Sequence, residues 1–147
     1  MDINEKISNL LTVTQRLVSI LERENAALAQ YKPGMIAPTV EEKGKLSKAY
    51  ELLSKSLIQD GEAIKEVDEA RRLRLGELVA KLDTLADENS RRLRIAIEAS
   101  QRALSAVAKA AKENMTQQTG YGRNGTLGTA SQQGAPNASP LSFNQVL

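Results

Sequence analysis

The chain has 147 residues, 20 Lys+Arg against 18 Asp+Glu, no His, no Cys, no Trp, one Phe and three Tyr. Without imidazole or thiol there is no near-neutral general base, no Cys nucleophile, no disulfide framework and no ordinary zinc site. With 3% aromatic residues, a core must be assembled from Leu, Ile, Val and Ala, which favours helices packed side by side. The first helix opens at Asp2, which with Glu5 forms a capping-box pattern. Its apolar seam alternates steps of four and three through Ile3, Ile7, Leu10, Thr14, Leu17, Leu21, Glu24 and Leu28. Leu11 and Val18 widen that stripe, so it suits a bundle better than a two-stranded zipper. The seam stops at Tyr31-Lys32-Pro33-Gly34, and with Pro38 this bounds a loop of the length found between antiparallel neighbours.

Thr39 and Glu42 make a second capping-box pattern, predicting that the helix restarts there. Its seam runs through Leu46, Tyr50, Leu53, Leu57, Ile64 and Val67. No proline follows until Pro136, yet one unbroken helix from Val40 to Asn114 would be roughly 110 Å long. A reversal is therefore expected between Asp60 and Gly76, where Asp60-Gly61 is the best turn signal and Arg71, Arg72 and Arg74 interrupt the stripe. The last helix carries Leu75, Leu78, Leu82, Leu85, Asn89, Leu93, Ile97, Leu104, Val107 and Ala111, with two successive four-residue steps around Asn89. Asn89 has two readings, a buried polar residue that fixes register or a partly exposed Asn at the stutter. The Ala-rich end, Ala96 to Ala111, is either closely packed on a neighbour or left as a docking surface.

Composition changes sharply near residue 115. All 18 acids lie at or before Glu113, while five of the nine glycines fall in 116–147. Residues 1–115 read as a helical coiled-coil body and 116–147 as a flexible tail, disordered when free. The expected fold is all-α, an antiparallel three-helix coiled-coil bundle with that tail attached.

Arg-Arg-Leu-Arg occurs at Arg71 to Arg74 and again at Arg91 to Arg94. Acids surround both copies, so solvated, salt-bridged faces explain them better than phosphate contacts, and no nucleic-acid partner is expected. Carboxylate neighbours such as Glu41-Glu42, Asp68-Glu69 and Asp87-Glu88 do not face one another on a helix, so no catalytic role follows. No enzyme activity, cofactor or metal is expected. The glycines at 120, 122, 125 and 128 follow a helix in a context without strands, unlike a phosphate loop. Mixed charge and few aromatics argue against a membrane-surface helix, and no basic, apolar leader opens the sequence, so a cytoplasmic chain with no membrane insertion is expected. Tyr121 is the residue to single out in the tail, either as an aromatic anchor for a pocket on a partner or as an aromatic without a role.

Three features together resemble the FlgN family of flagellar export chaperones. They are a helix ending in Leu21-Glu22-Arg23-Glu24-Asn25-Ala26-Ala27-Leu28, a second opening with Glu41-Glu42-Lys43 before a Leu-rich run, and a third with Asn89 followed by Gly120-Tyr121-Gly122-Arg123-Asn124-Gly125. The resemblance covers residues 1–125 in order and spacing. It implies a cytosolic type III secretion chaperone that binds the C-terminal helices of the hook-associated proteins FlgK and FlgL and delivers them to the export gate. It associates the third helix with the client, for which Leu93, Ile97, Leu104 and Val107 are the candidates here. It also associates Tyr121 with docking to the cytoplasmic domain of the export-gate protein FlhA. The extended tail after Gly125, ending near Phe143, and the turn-rich Tyr31 to Met35 loop depart from that pattern. The alternative from another class is a self-associating coiled-coil scaffold or adaptor without an export client.

Overall fold

The structure is a computed structural model that describes residues 1–121, with side chains described as far as residue 117. Three α-helices follow one another: α1 (Ile3–Ala29), α2 (Ala37–Gln59) and α3 (Glu69–Tyr121), with 3₁₀ turns at Pro33–Ile36 and Ala63–Glu66. No strand occurs among the described residues. The chain divides into two units, residues 1–94 and 95–147, with the division inside α3.

The capping box at the start of α1 forms as the sequence predicts, with the Asp2 N–H donating to Glu5 Oε2 at 3.3 Å. From there the seam buries Ile7, Leu10, Leu17, Leu21 and Leu28, joined by Val18 and Ile20. Thr14 sits in the seam without cost because its hydroxyl donates to the Leu10 carbonyl at 2.6 Å. The helix ends in a Schellman arrangement: Lys32 N–H reaches the Ala27 carbonyl at 3.0 Å and Tyr31 N–H the Leu28 carbonyl at 3.1 Å. That geometry puts one residue in the left-handed region, and the residue is Tyr31, at φ 57°, rather than nearby Gly34.

The second predicted capping box does not form. The 3₁₀ turn Pro33–Ile36 runs straight into α2 at Ala37, with Pro38 in the first turn where its missing N–H is harmless. Thr39 is therefore already helical, and its hydroxyl donates to the Ile36 carbonyl at 2.8 Å and to Glu24 Oε1 on α1 at 2.6 Å. Glu42, freed from capping, pairs with Arg16 at 2.7 Å. The reversal expected between Asp60 and Gly76 occupies its first part, since α3 begins at Glu69 and its first turn includes Arg71 and Arg72. Arg72 N–H donates to the Asp68 carbonyl at 3.2 Å.

In the first unit the helices run up, down and up. At one end Ile7 and Leu10 of α1 pack with Leu57 of α2 and with Val67 of the connection, flanked by Leu75 of α3. Midway, Leu17, Val18 and Leu21 meet Leu82 of α3 with Leu46 and Leu85 beside them, and Tyr50 joins both clusters. At the far end Glu24 of α1 meets Lys43 of α2 and Asn89 of α3. α2 is thus antiparallel to α1, and the segment 69–94 of α3 is parallel to it, giving a three-helix bundle. Full burial of each Leu or Ile contributes about 1.5–3 kcal/mol. Most of it comes from α1, which supplies seven of the eleven buried apolar side chains of the described residues, while α2 contributes Leu57 and α3 Leu82.

Candidate interaction surfaces

Three features of the described residues could engage something beyond the bundle's own core. The first is a buried polar cluster where all three helices meet. Glu24 is 1% exposed. Its Oε1 accepts from the Thr39 hydroxyl at 2.6 Å, and its Oε2 accepts from Lys43 Nζ at 2.7 Å and Asn89 Nδ2 at 3.0 Å. Asn89 Nδ2 also donates to Asn25 Oδ1 at 3.0 Å, Lys43 Nζ to Asn89 Oδ1 at 3.3 Å, and Asn25 Nδ2 to the Leu85 carbonyl at 3.2 Å. A buried carboxylate is tolerable only when its lone pairs are filled, and here each oxygen has a donor. Among the described residues no buried side-chain polar atom lacks a partner, so nothing in the cluster is left aimed at a ligand. Of the two readings of Asn89, the buried one holds: it is 5% exposed.

The second feature is a groove of about 410 Å³ between α2 and the segment 69–94 of α3. Leu17 and Leu21 of α1 contribute to its lining, with Ser47 and Tyr50 on the α2 side and Leu82 and Leu93 on the α3 side. Small side chains, Ser47 together with Ala86 and Ser90, keep it open. Leu93, a sequence candidate, lies here, half-buried in the first unit.

The third is the described part of the second unit, a single helical stretch from Ile95 with no second element among its described residues. Ile97 and Leu104 are half-buried, whereas Val107 is 67% and Ile95 63% exposed. Most of the alanines from Ala99 onward are exposed as well, so the Ala-rich stretch has no close neighbour within its unit. The structure therefore groups Ile97, Leu104 and Val107 in one unit and Leu93 in the other. Tyr121 is the last residue of α3, and its side chain lies outside the described residues, as do residues 122–147 with Phe143.

The arginine repeats are largely solvated, as their charge pattern predicts. Arg92 pairs with Glu88 at 2.7 Å and Arg72 donates to the Val67 carbonyl at 3.1 Å, while Arg71, Arg74, Arg91 and Arg94 are exposed. Of the acidic neighbours, Glu41 pairs with Lys45 at 2.6 Å. Among the described residues no three His, Cys, Asp or Glu side chains come together as metal ligands, and no described helix is long and apolar enough to cross a membrane.

Sequence reasoning placed Glu24 in the seam but did not connect it with Lys43 and Thr39. The available signal was a carboxylate at a seam position, which must find a cation or donors if it is buried. No family model, curated protein or solved structure matches the chain.

Proposed function

We propose that the chain is a cytoplasmic, non-enzymatic export chaperone of the kind its sequence resembles. It holds the amphipathic C-terminal helices of the hook-associated proteins FlgK and FlgL before export and presents them to FlhA. The observation that supports this reading is the seam Ile97, Leu104 and Val107 on a helical stretch whose own described unit offers nothing to cover it. An isolated helix is marginal in water and gains most of its stability by burying an apolar stripe. A client helix laid along that stripe would supply the missing partner by helix-in-groove packing. The small alanines beside it allow close approach, and the modest apolar area keeps affinity low enough for release. Tyr121, just beyond, is the proposed anchor for FlhA.

The test is calorimetric titration of the intact chain with C-terminal helical peptides of FlgK and FlgL, repeated with Leu104→Ser and Val107→Ser combined. Binding by the parent, loss of at least about 2 kcal/mol in the variant, and unchanged circular dichroism are the expected results. Absence of binding by the parent chain, with light scattering showing a tight homo-oligomer, would favour a self-associating scaffold instead.

A further inference from the structure

We propose that Asn89 is a positioning residue that fixes the register of α3 against α1 and α2 in the first unit. The apolar pattern of α3 leaves that register ambiguous. Leu75 and Leu82 are seven residues apart, as are Leu78 and Leu85, and Leu82 in turn precedes Asn89 by seven. A slide of the segment by one heptad, about 10.5 Å at 1.5 Å per residue, would bring Leu75 to the place of Leu82 and Leu78 to that of Leu85. The charges would follow, because Arg74 would replace Lys81, which pairs with Glu22 at 2.6 Å. At this far end of the bundle the shifted register fails chiefly at the buried polar cluster. Leu82 would lie where Asn89 now donates to Glu24 Oε2 and Asn25 Oδ1 and accepts from Lys43. A leucine there offers no donor to a carboxylate that is 1% exposed and leaves Asn25 Oδ1 without the donor that Asn89 supplies.

Asn89 thus contributes discrimination more than attraction. A single buried polar side chain in an otherwise apolar seam is a known way for a coiled coil to select one alignment among several. Glu24 retains Thr39 and Lys43 without Asn89, so the α1–α2 pairing does not depend on it. At the opposite end, Val67 is buried with Leu57 and Ile7 and also resists a slide. It does so by ordinary apolar burial, which separates the two roles experimentally.

The natural absence of Cys allows the alignment to be read by thiol cross-linking of the full chain. Two reporter pairs are made, Glu22→Cys with Lys81→Cys for the observed register and Glu22→Cys with Arg74→Cys for the shifted one, each treated with a short bismaleimide. With Asn89 present only the first pair should cross-link efficiently. In the Asn89→Leu background the second product should rise about tenfold, with helicity retained. Val67→Ser should lower the melting temperature without raising that product. Because Asn89→Leu removes the donor to Asn25 Oδ1, Asn25→Leu with Asn89→Leu is made in parallel and should give the same shift in a better-satisfied core. A helical Asn89→Leu chain that still cross-links only through residues 22 and 81 would overturn the proposal. So would efficient cross-linking of the shifted pair with Asn89 in place. Loss of helicity in both leucine variants would make Asn89 a folding determinant and overturn it as well.

Discussion

Glu24 on α1 and Lys43 on α2 form an ion pair at 2.7 Å whose carboxylate is 1% and whose amine side is 22% exposed. The asymmetry matters. The carboxylate has left water almost completely and depends on protein donors, whereas the ammonium keeps some access to solvent. The pair is therefore more important for what its breakage costs than for net stability.

Lys43→Ala should destabilise the chain by about 2–3 kcal/mol, below the full range for broken buried pairs because Lys43 is partly exposed. Replacing both members, Glu24→Leu with Lys43→Leu, should recover most of that loss, since no buried charge remains. Urea denaturation followed by circular dichroism measures both. A double variant as unstable as Lys43→Ala would contradict this account.

Tyr31 is 90% exposed and held at φ 57°. Its side chain buries little, while its Cβ makes the left-handed conformation unfavourable. Tyr31→Gly should stabilise the chain by about 0.5–1 kcal/mol despite glycine's greater freedom when unfolded. A lower melting temperature for the glycine variant would mean that the ring makes a contact worth more than the strain.

Glu51 accepts from Lys55 at 2.6 Å on the outer face of α2. That hydrogen bond first, and the ammonium charge second, hold its carboxyl below the ordinary glutamate value. A depressed folded-state value gives stabilisation that is present above the unfolded value and is lost as pH falls through the folded one. The glutamate precedes its lysine by four residues, the favourable order on a helix. In Lys55→Met the Glu51 carboxyl should titrate at higher pH, visible by carbon NMR. Because the pair is in solvent, the melting curve at neutral pH should barely change.

On the proposed function, Tyr121→Ala should leave helicity and binding of the hook-associated peptides intact while weakening binding to the FlhA cytoplasmic domain by about tenfold, the scale of an aromatic anchor. Surface plasmon resonance with the two partners in turn separates the effects. Equal FlhA affinity for parent and variant would remove Tyr121 from the docking role.

Much of the bundle was legible because its signals are local. Asp2 with Glu5, the alternating steps from Ile3 to Leu28, and Pro33 and Pro38 marked α1 and its end, and all depend on residues within a turn or two of one another. The Thr39 pattern misled for the complementary reason. A hydroxyl and a carboxylate three residues apart satisfy the capping rule, but α2 begins earlier, at Ala37, and the Thr39 hydroxyl donates instead to Glu24, 15 residues earlier in sequence. The loop after α1 was bounded correctly by Tyr31 to Gly34, but which of its residues takes the left-handed conformation was not identified, and it is Tyr31.

Of the candidate surfaces, the seam positions Leu93, Ile97, Leu104 and Val107 follow from period alone. Which of them remain exposed does not, since exposure depends on whether another helix lies opposite. The sequence by itself determined three helices, their amphipathic faces, the absence of imidazole and thiol chemistry, and the window for the second reversal. Only the tertiary structure decided that Glu24, Thr39, Lys43, Asn25 and Asn89 converge, and that α3 contributes one fully buried leucine to the described core. Periodicity reports which face of a helix is apolar, but a polar residue on that face finds its partners only when distant segments pack, and those partners lie up to 65 residues away.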